Sequence, residues 1–242
     1  MGHAIQWLRS LVFVALMYLA LGVLGLIGLP YALASRDGAL RMVHLYTGLV
    51  RAGARILVGL RTEVRGEVPQ DPVLIAAKHQ SFLDILLITD AVPRPRFIMK
   101  SVLRWAPVLG WYAMRIGCVP VDRGRRAAAI AQMKAGVAAG LVTPGQLVIY
   151  PQGTRIAPGV KAPYKVGAGV LYDQLGQDCV PVATNVGVFW PKRGIYRRRG
   201  LAVVEFLPRI PAGMPLAAFM AELETLVERE SDRLIAEAHH GQ

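Results

Sequence analysis

Cysteine is almost absent from this chain. Cys118 and Cys179 are its two thiols, each among apolar neighbours. Two are too few for a disulfide framework and read as buried thiols of a reducing compartment. No Cys/His cluster has metal-ligand spacing, so no metal site is expected. Aromatic residues are scarce at 7% and do not interleave with the basic runs. With no helix-turn-helix, zinc-finger or RNA-binding signature either, nucleic acid is not an expected partner. Acidic side chains number 16 against 28 Lys and Arg, a net charge of +12, while hydrophobic residues make up 54% of the chain. A chain both basic and apolar points to an anionic membrane surface. Its 242 residues suffice for one sizeable core.

Charge is missing altogether from Leu11 to Leu29, a run that ends at Pro30. As a helix it reaches about 28 Å, close to the apolar thickness of a bilayer. It reads as a full span, a segment immersed in one leaflet, a signal peptide with Ala32-Leu33-Ala34 as a cleavage-like site, or a core helix. Arg9 and Arg36 flank it as interface anchors. From Leu40 to Leu60 the polar or small residues Arg41, His44, Gly48, Arg51 and Arg55 fall within about 80° of one helix face. A narrow basic stripe on a wide apolar helix suits either the headgroup region of a membrane or an ordinary amphipathic helix.

The chain is organised around Lys78-His79-Gln80-Ser81-Phe82-Leu83-Asp84. The preceding Val73-Leu74-Ile75-Ala76-Ala77 reads as a buried strand after the turn Pro69-Gln70-Asp71-Pro72, and Asp84 to Thr89 as the start of a helix. His79 then lies at the carboxyl end of a strand, where open α/β sheets place ligands. Five positions do not share one helix face, so the two side chains meet only with His79 in the loop and Asp84 in the first helical turn. Such a pair can take a proton from a hydroxyl, the carboxylate fixing the imidazole tautomer. Ser81-Phe82-Leu83-Asp84 also has the S-x-x-D form of a capping box.

Further strands are expected over 56–67, Phe97-Ile98-Met99, Gly117 to Val121, Leu147 to Tyr150, Val180 to Phe189 and Leu201 to Leu207, with helices over 126–141, 166–175 and 215–239. Lys100 ends one strand and clusters with Arg94, Arg96 and Arg104, while Arg115, Arg123, Arg125 and Arg126 follow at the end of the next two elements, as phosphate ligands or solvated surface. Tyr150-Pro151-Gln152-Gly153-Thr154-Arg155 follows another strand as a phosphate-holding turn or a plain Gly turn. The loop Trp190-Pro191-Lys192-Arg193 to Arg197-Arg198-Arg199 reads as a steering patch for an acidic donor, a lipid contact or a solvated hairpin.

Taken together, these blocks resemble the glycerolipid acyltransferase family. His79 to Asp84 matches its H-x4-D motif, and Phe97-Ile98-Met99-Lys100 leads into Pro107-x-x-Gly110. Gly117 to Arg123 is similar to the second block, Tyr150 to Arg155 to the third, and Val180-Pro181-Val182 to the fourth, over roughly residues 70 to 190. The resemblance implies an α/β fold in residues 61–242, a central largely parallel or mixed sheet flanked by helices, behind a membrane-associated two-helix hairpin in residues 1–60. It implies transfer of a fatty acyl group from acyl-CoA or acyl carrier protein to the free hydroxyl of 1-acylglycerol-3-phosphate, giving phosphatidic acid. No metal or prosthetic group is implied, and the site is expected on the cytoplasmic face of a bacterial inner membrane. In this picture His79 deprotonates the acceptor and Asp84 orients it. Lys100 and the backbone around Gly153 stabilise the oxyanion, while Lys100, Arg123, Gly153, Thr154 and Arg155 hold substrate, Arg155 at the acceptor phosphate. Gln152 stands where the family usually has glutamate. Two alternatives stay open: an acyltransferase for another lyso-lipid such as lyso-ornithine lipid, and a non-catalytic membrane-binding protein of the same fold.

Overall fold

The computed structural model describes residues 2–122, 131, 135 and 144–240. Seven strands form one mixed sheet in the order β1-β7-β6-β2-β5-β3-β4. They are β1 (Leu60–Arg65), β2 (Leu74–Ala77), β3 (Pro95–Lys100), β4 (Val119–Val121), β5 (Gln146–Ile149), β6 (Cys179–Thr184) and β7 (Gly200–Phe206). Pairing is parallel throughout except where β7 runs antiparallel to β6. The expectation of a largely parallel or mixed sheet is met.

The central strands are buried on both faces, which is why they read as unbroken apolar runs. Leu74 and Ala76 of β2 with Leu147 and Ile149 of β5 join a core with α6 (Gly167–Leu175) and α8 (Leu216–His240), through Leu171, Phe219, Leu223 and Val227. Ile75 and Ala77 with Val148 point the other way, into a core shared with α1 (His3–Ile27), α3 (Arg36–Gly53) and α4 (Leu83–Ala91). That second core runs without a break from Phe13 and Val50 to Phe206.

Residues 3–53 form three helices rather than two. Pro30 opens a short corner helix, α2 (Leu29–Ala34), and Ser35 starts α3 by accepting the Gly38 N–H at its hydroxyl. Arg115, at the end of α5 (Leu109–Arg115), donates to Ala32 O and Leu33 O, and Arg96 donates to Gly117 O. These arginines, candidates for phosphate, are thus engaged by backbone carbonyls. Arg51 of the expected headgroup stripe pairs with Asp90 of α4 and donates to Thr62, because that flank of α3 packs on the domain. Cys118 and Cys179 are buried, and burial pushes the Cys118 thiol up to about 11.

β6 is shorter than expected. It breaks at Asn185, whose side chain accepts the Val203 N–H and donates to Leu234 O, and the chain turns into α7 (Val186–Phe189).

Two opposite faces define α1. Gln6, Ser10, Phe13 and Met17 are buried against the domain. Ile5, Leu8, Val12, Leu16, Leu19, Val23 and Leu26 are exposed, within about 80° of one another around the axis. At a mean hydropathy of 2.5, α1 is long and apolar enough to cross a membrane. Its inner face, however, is tied by polar bonds. Gln6 donates to Val58 O at 3.0 Å and Arg197 O at 2.8 Å, and Ser10 Oγ accepts the Arg197 N–H at 2.9 Å. Ser10→Ala leaves that buried N–H without an acceptor and should lower unfolding stability by about 1–3 kcal/mol, as should Gln6→Leu. Denaturation of the full chain in detergent measures both; stability equal to the parent for both variants would show that α1 is not fastened there.

Candidate active site

β2 delivers the chain to the carboxyl edge of the sheet, and the segment between it and α4 turns back on one carboxylate. His79 Nδ1 lies 2.8 Å from Asp84 Oδ1, and Asp84 Oδ2 accepts the N–H groups of Gln80 and Ser81, each at 2.8 Å. A carboxylate that accepts two backbone N–H bonds on one oxygen is an acceptor on the other, so Nδ1 carries the proton and Nε2 has the lone pair. Asp84 is fully buried while 13% of the His79 side chain is exposed. One Asp84 oxygen thus faces the imidazole while the other gathers the two amides that precede the helix.

Tyr150, just past β5, stacks on the His79 ring with centroids 4.0 Å apart, and Phe97 lies 6.3 Å beyond Tyr150. Burial, together with the Asp84 charge, pushes the Tyr150 phenol well above its usual range, so it stays neutral beside the imidazole. An apolar cavity of about 140 Å³ opens behind this aromatic stack, between α1, α3, α4 and α5, with Leu24, Met42, Tyr46, Phe82, Phe97 and Tyr112 in its wall.

Residues 61–185 match the family described as Acyltransferase. This chain belongs to the acyltransferase family. It is 28% identical over 185 residues to the 1-acyl-sn-glycerol-3-phosphate acyltransferase of Pseudomonas aeruginosa, covering 76% of this chain and 72% of that enzyme. With the human 1-acyl-sn-glycerol-3-phosphate acyltransferase alpha it shares 32% identity over 162 residues, 65% of this chain and 57% of the relative. Its fold matches the crystal structure of the 1-acyl-sn-glycerophosphate (LPA) acyltransferase PlsC from Thermotoga maritima, with a TM-score of 0.79, 20% identity, and 95% and 97% of the two chains covered.

The other expected site residues of this acyltransferase are less concentrated. Gly153 has φ +70°, which favours glycine, but its N–H donates to Tyr150 O at 2.8 Å and closes the turn. That amide is therefore engaged within the turn. Thr154 is exposed, and Lys192 joins it at 3.4 Å and Arg155 O at 3.0 Å, while Arg155 donates to Lys192 O at 3.4 Å. Arg155 and Lys192 thus share one basic turn beside His79, whose carbonyl accepts the Ile156 N–H at 2.8 Å. Lys100 is exposed at the end of β3, two strands from β2 and so about 10 Å across the sheet. No hydrogen bond links it to His79 or the 153–155 turn among the described residues. Arg123, with Arg125, Arg126 and most of the expected 126–141 helix, lies outside the described residues. Of the basic loop, Arg197 is buried over the Trp190 ring, 4.4 Å from its centroid, and serves the fold.

Four participants went unassigned in the sequence. Tyr150 ends a strand, a position that signals a ring at the carboxyl edge. Gln80 accepts the Gly187 N–H at 2.9 Å, a contact possible because a Cβ at Gly187 would come within 2.8 Å of Gln80 Cβ. Buried Lys78 and half-buried Glu228 pair through both carboxylate oxygens, at 2.6 and 2.7 Å. A lysine directly after a buried strand was the available signal for the last two.

Replacing His79 with Ala should lower acyl transfer about 100-fold or more. Asp84→Asn, which loses an acceptor and frees the tautomer, should cost about 10²–10⁴-fold in kcat. Initial rates on protein verified as folded by circular dichroism measure both, and an undiminished rate for His79→Ala would remove the imidazole from the reaction.

Proposed function

We propose that this acyltransferase moves a fatty acyl group from the thioester of acyl-CoA or acyl carrier protein to the free hydroxyl of 1-acyl-sn-glycerol-3-phosphate, giving phosphatidic acid. The observation that carries the reading is the His79 imidazole, fixed by Asp84 at Nδ1 and with no hydrogen-bond partner on Nε2 among the described residues. Phe97 of its aromatic stack lines an apolar cavity, and the basic Arg155–Lys192 turn is bonded to the His79 carbonyl through Ile156. Nε2 takes the hydroxyl proton as the oxygen attacks the thioester carbonyl. The tetrahedral centre then expels the thiolate as the C–S bond breaks, and the imidazolium returns the proton to sulfur. Asp84 stabilises the imidazolium between the two transfers. Arg155 and Lys192 suit the acceptor phosphate through charge-assisted bonds, and the cavity suits an acyl chain. Lys100, Arg123 and Thr154 remain candidates for the phosphate-rich ends of acceptor and donor, outside the geometry that carries the reading.

The exposed stripe of α1, with Leu45, Leu49 and Ile56, suits immersion in the apolar layer of a membrane. A net charge of +12 suits an anionic surface. Because both donors are cytoplasmic, the site faces the cytoplasm, on the inner membrane in a bacterium.

Purified full-length protein offered lysophosphatidic acid and lyso-ornithine lipid in competition, with each donor in turn, should form phosphatidic acid. Acylation of the aminolipid alone would transfer the reading to that acceptor, and no product with either donor would overturn it. Narrowing the cavity by Ala113→Phe should lower kcat/KM about 10-fold more for a long acyl donor than for a short one.

A further inference from the structure

Behind the catalytic pair sits a buried cluster that the mechanism above does not use. Glu228, on α8, reaches across to two strand-end loops. Its carboxylate accepts both bonds from Lys78, the residue before His79, which is 3% exposed. It also accepts a bond from Gln152 Nε2 at 3.3 Å and one from the Tyr164 hydroxyl at 2.9 Å. Gln152 is 4% exposed, and its amide donates a second time, to Ala162 O at 3.3 Å. Burial and the Glu228 charge push the Tyr164 phenol far above its usual range, so it donates rather than ionises. One carboxylate thus binds the loop that carries His79, the turn that leads to Arg155, and the segment that returns to α6.

The cluster has room for one negative charge. Both groups facing Gln152 Nε2 are acceptors, Ala162 O and Glu228 Oε1. A carboxylate at position 152 in the same pose would set an oxygen about 3.3 Å from that of Glu228, two anions beside the one Lys78 ammonium that Glu228 already holds. An amide at 152 is what this arrangement requires.

We propose that Glu228 is a positioning residue for acyl transfer: its single carboxylate clamps the Lys78–His79 loop to the 150–155 turn, and the clamp works with that charge on residue 228 or 152 but not on both. It acts through His79 and Gln152, and it rests on the acyl-transfer reading only for its kinetic readout.

The test is the charge swap in the full chain. Glu228→Gln leaves Lys78 unpaired and Gln152→Glu doubles the negative charge. Each should lower kcat about 10-fold or more, with KM within about twofold, at a temperature where the variant is folded by circular dichroism. The double variant Gln152→Glu/Glu228→Gln, with one charge again, should return to within about threefold of the parent. A second readout needs no turnover: carbethoxylation of His79 by diethyl pyrocarbonate, followed on its peptide by mass spectrometry, should quicken in each single variant and slow again in the swap. Unchanged kcat in Glu228→Gln, or a swap no better than the worse single variant, would overturn the clamp. So would single variants that lose thermal stability while kcat per folded molecule and His79 reactivity stay at parental values. An inactive parent would instead overturn acyl transfer to lysophosphatidic acid, and the His79 reactivity would then decide the clamp.

Discussion

The Asp84 carboxylate is the constraint from which the site follows. Fully buried, its oxygens are satisfied because three groups converge on them: the His79 ring and the backbone N–H groups of Gln80 and Ser81. Those two amides precede α4, whose first turn carries Asp84, where the macrodipole favours negative charge. The carboxylate that gathers the loop ahead of the helix therefore also orients the imidazole. One group serves both the loop and the ring, so the geometry of the His79–Asp84 pair is set by the fold itself.

The sheet supplies the rest by position. β2, β5 and β3 are parallel neighbours whose carboxyl ends open on one side. His79, the 150–155 turn and Lys100 emerge there at successive strands. Helices α6 and α8 close one face of the sheet while α1, α3 and α4 close the other. The apolar cavity belongs to that second layer. The N-terminal helices thus build the chamber beside the base as well as the outer apolar surface.

How much of this the sequence displayed depended on the reach of each interaction. The stretch around His79 was legible because partner and base are five residues apart and the strand before them is buried on both faces. Arg51 looked like part of an interfacial stripe, since its true partner, Asp90, lies on another element. The break in β6 was hidden because Val186, Val188 and Phe189 continue the apolar run, while the cause is the Asn185 side chain pairing with β7. Gln152 stood out as an anomaly with no visible compensation. Its counterpart, Glu228, sits on the flank of a helix that reads as ordinary amphipathic surface, 150 residues from Lys78. No local pattern reports a contact of that span.

The inner seam of α1 carries one consequence for how the enzyme meets its substrates. A helix riveted lengthwise to a rigid body cannot slide, tilt or sink on its own. Whatever depth the outer stripe reaches in the lipid, the whole catalytic floor is carried to a matching height. A lysolipid must then approach a ledge at a set elevation.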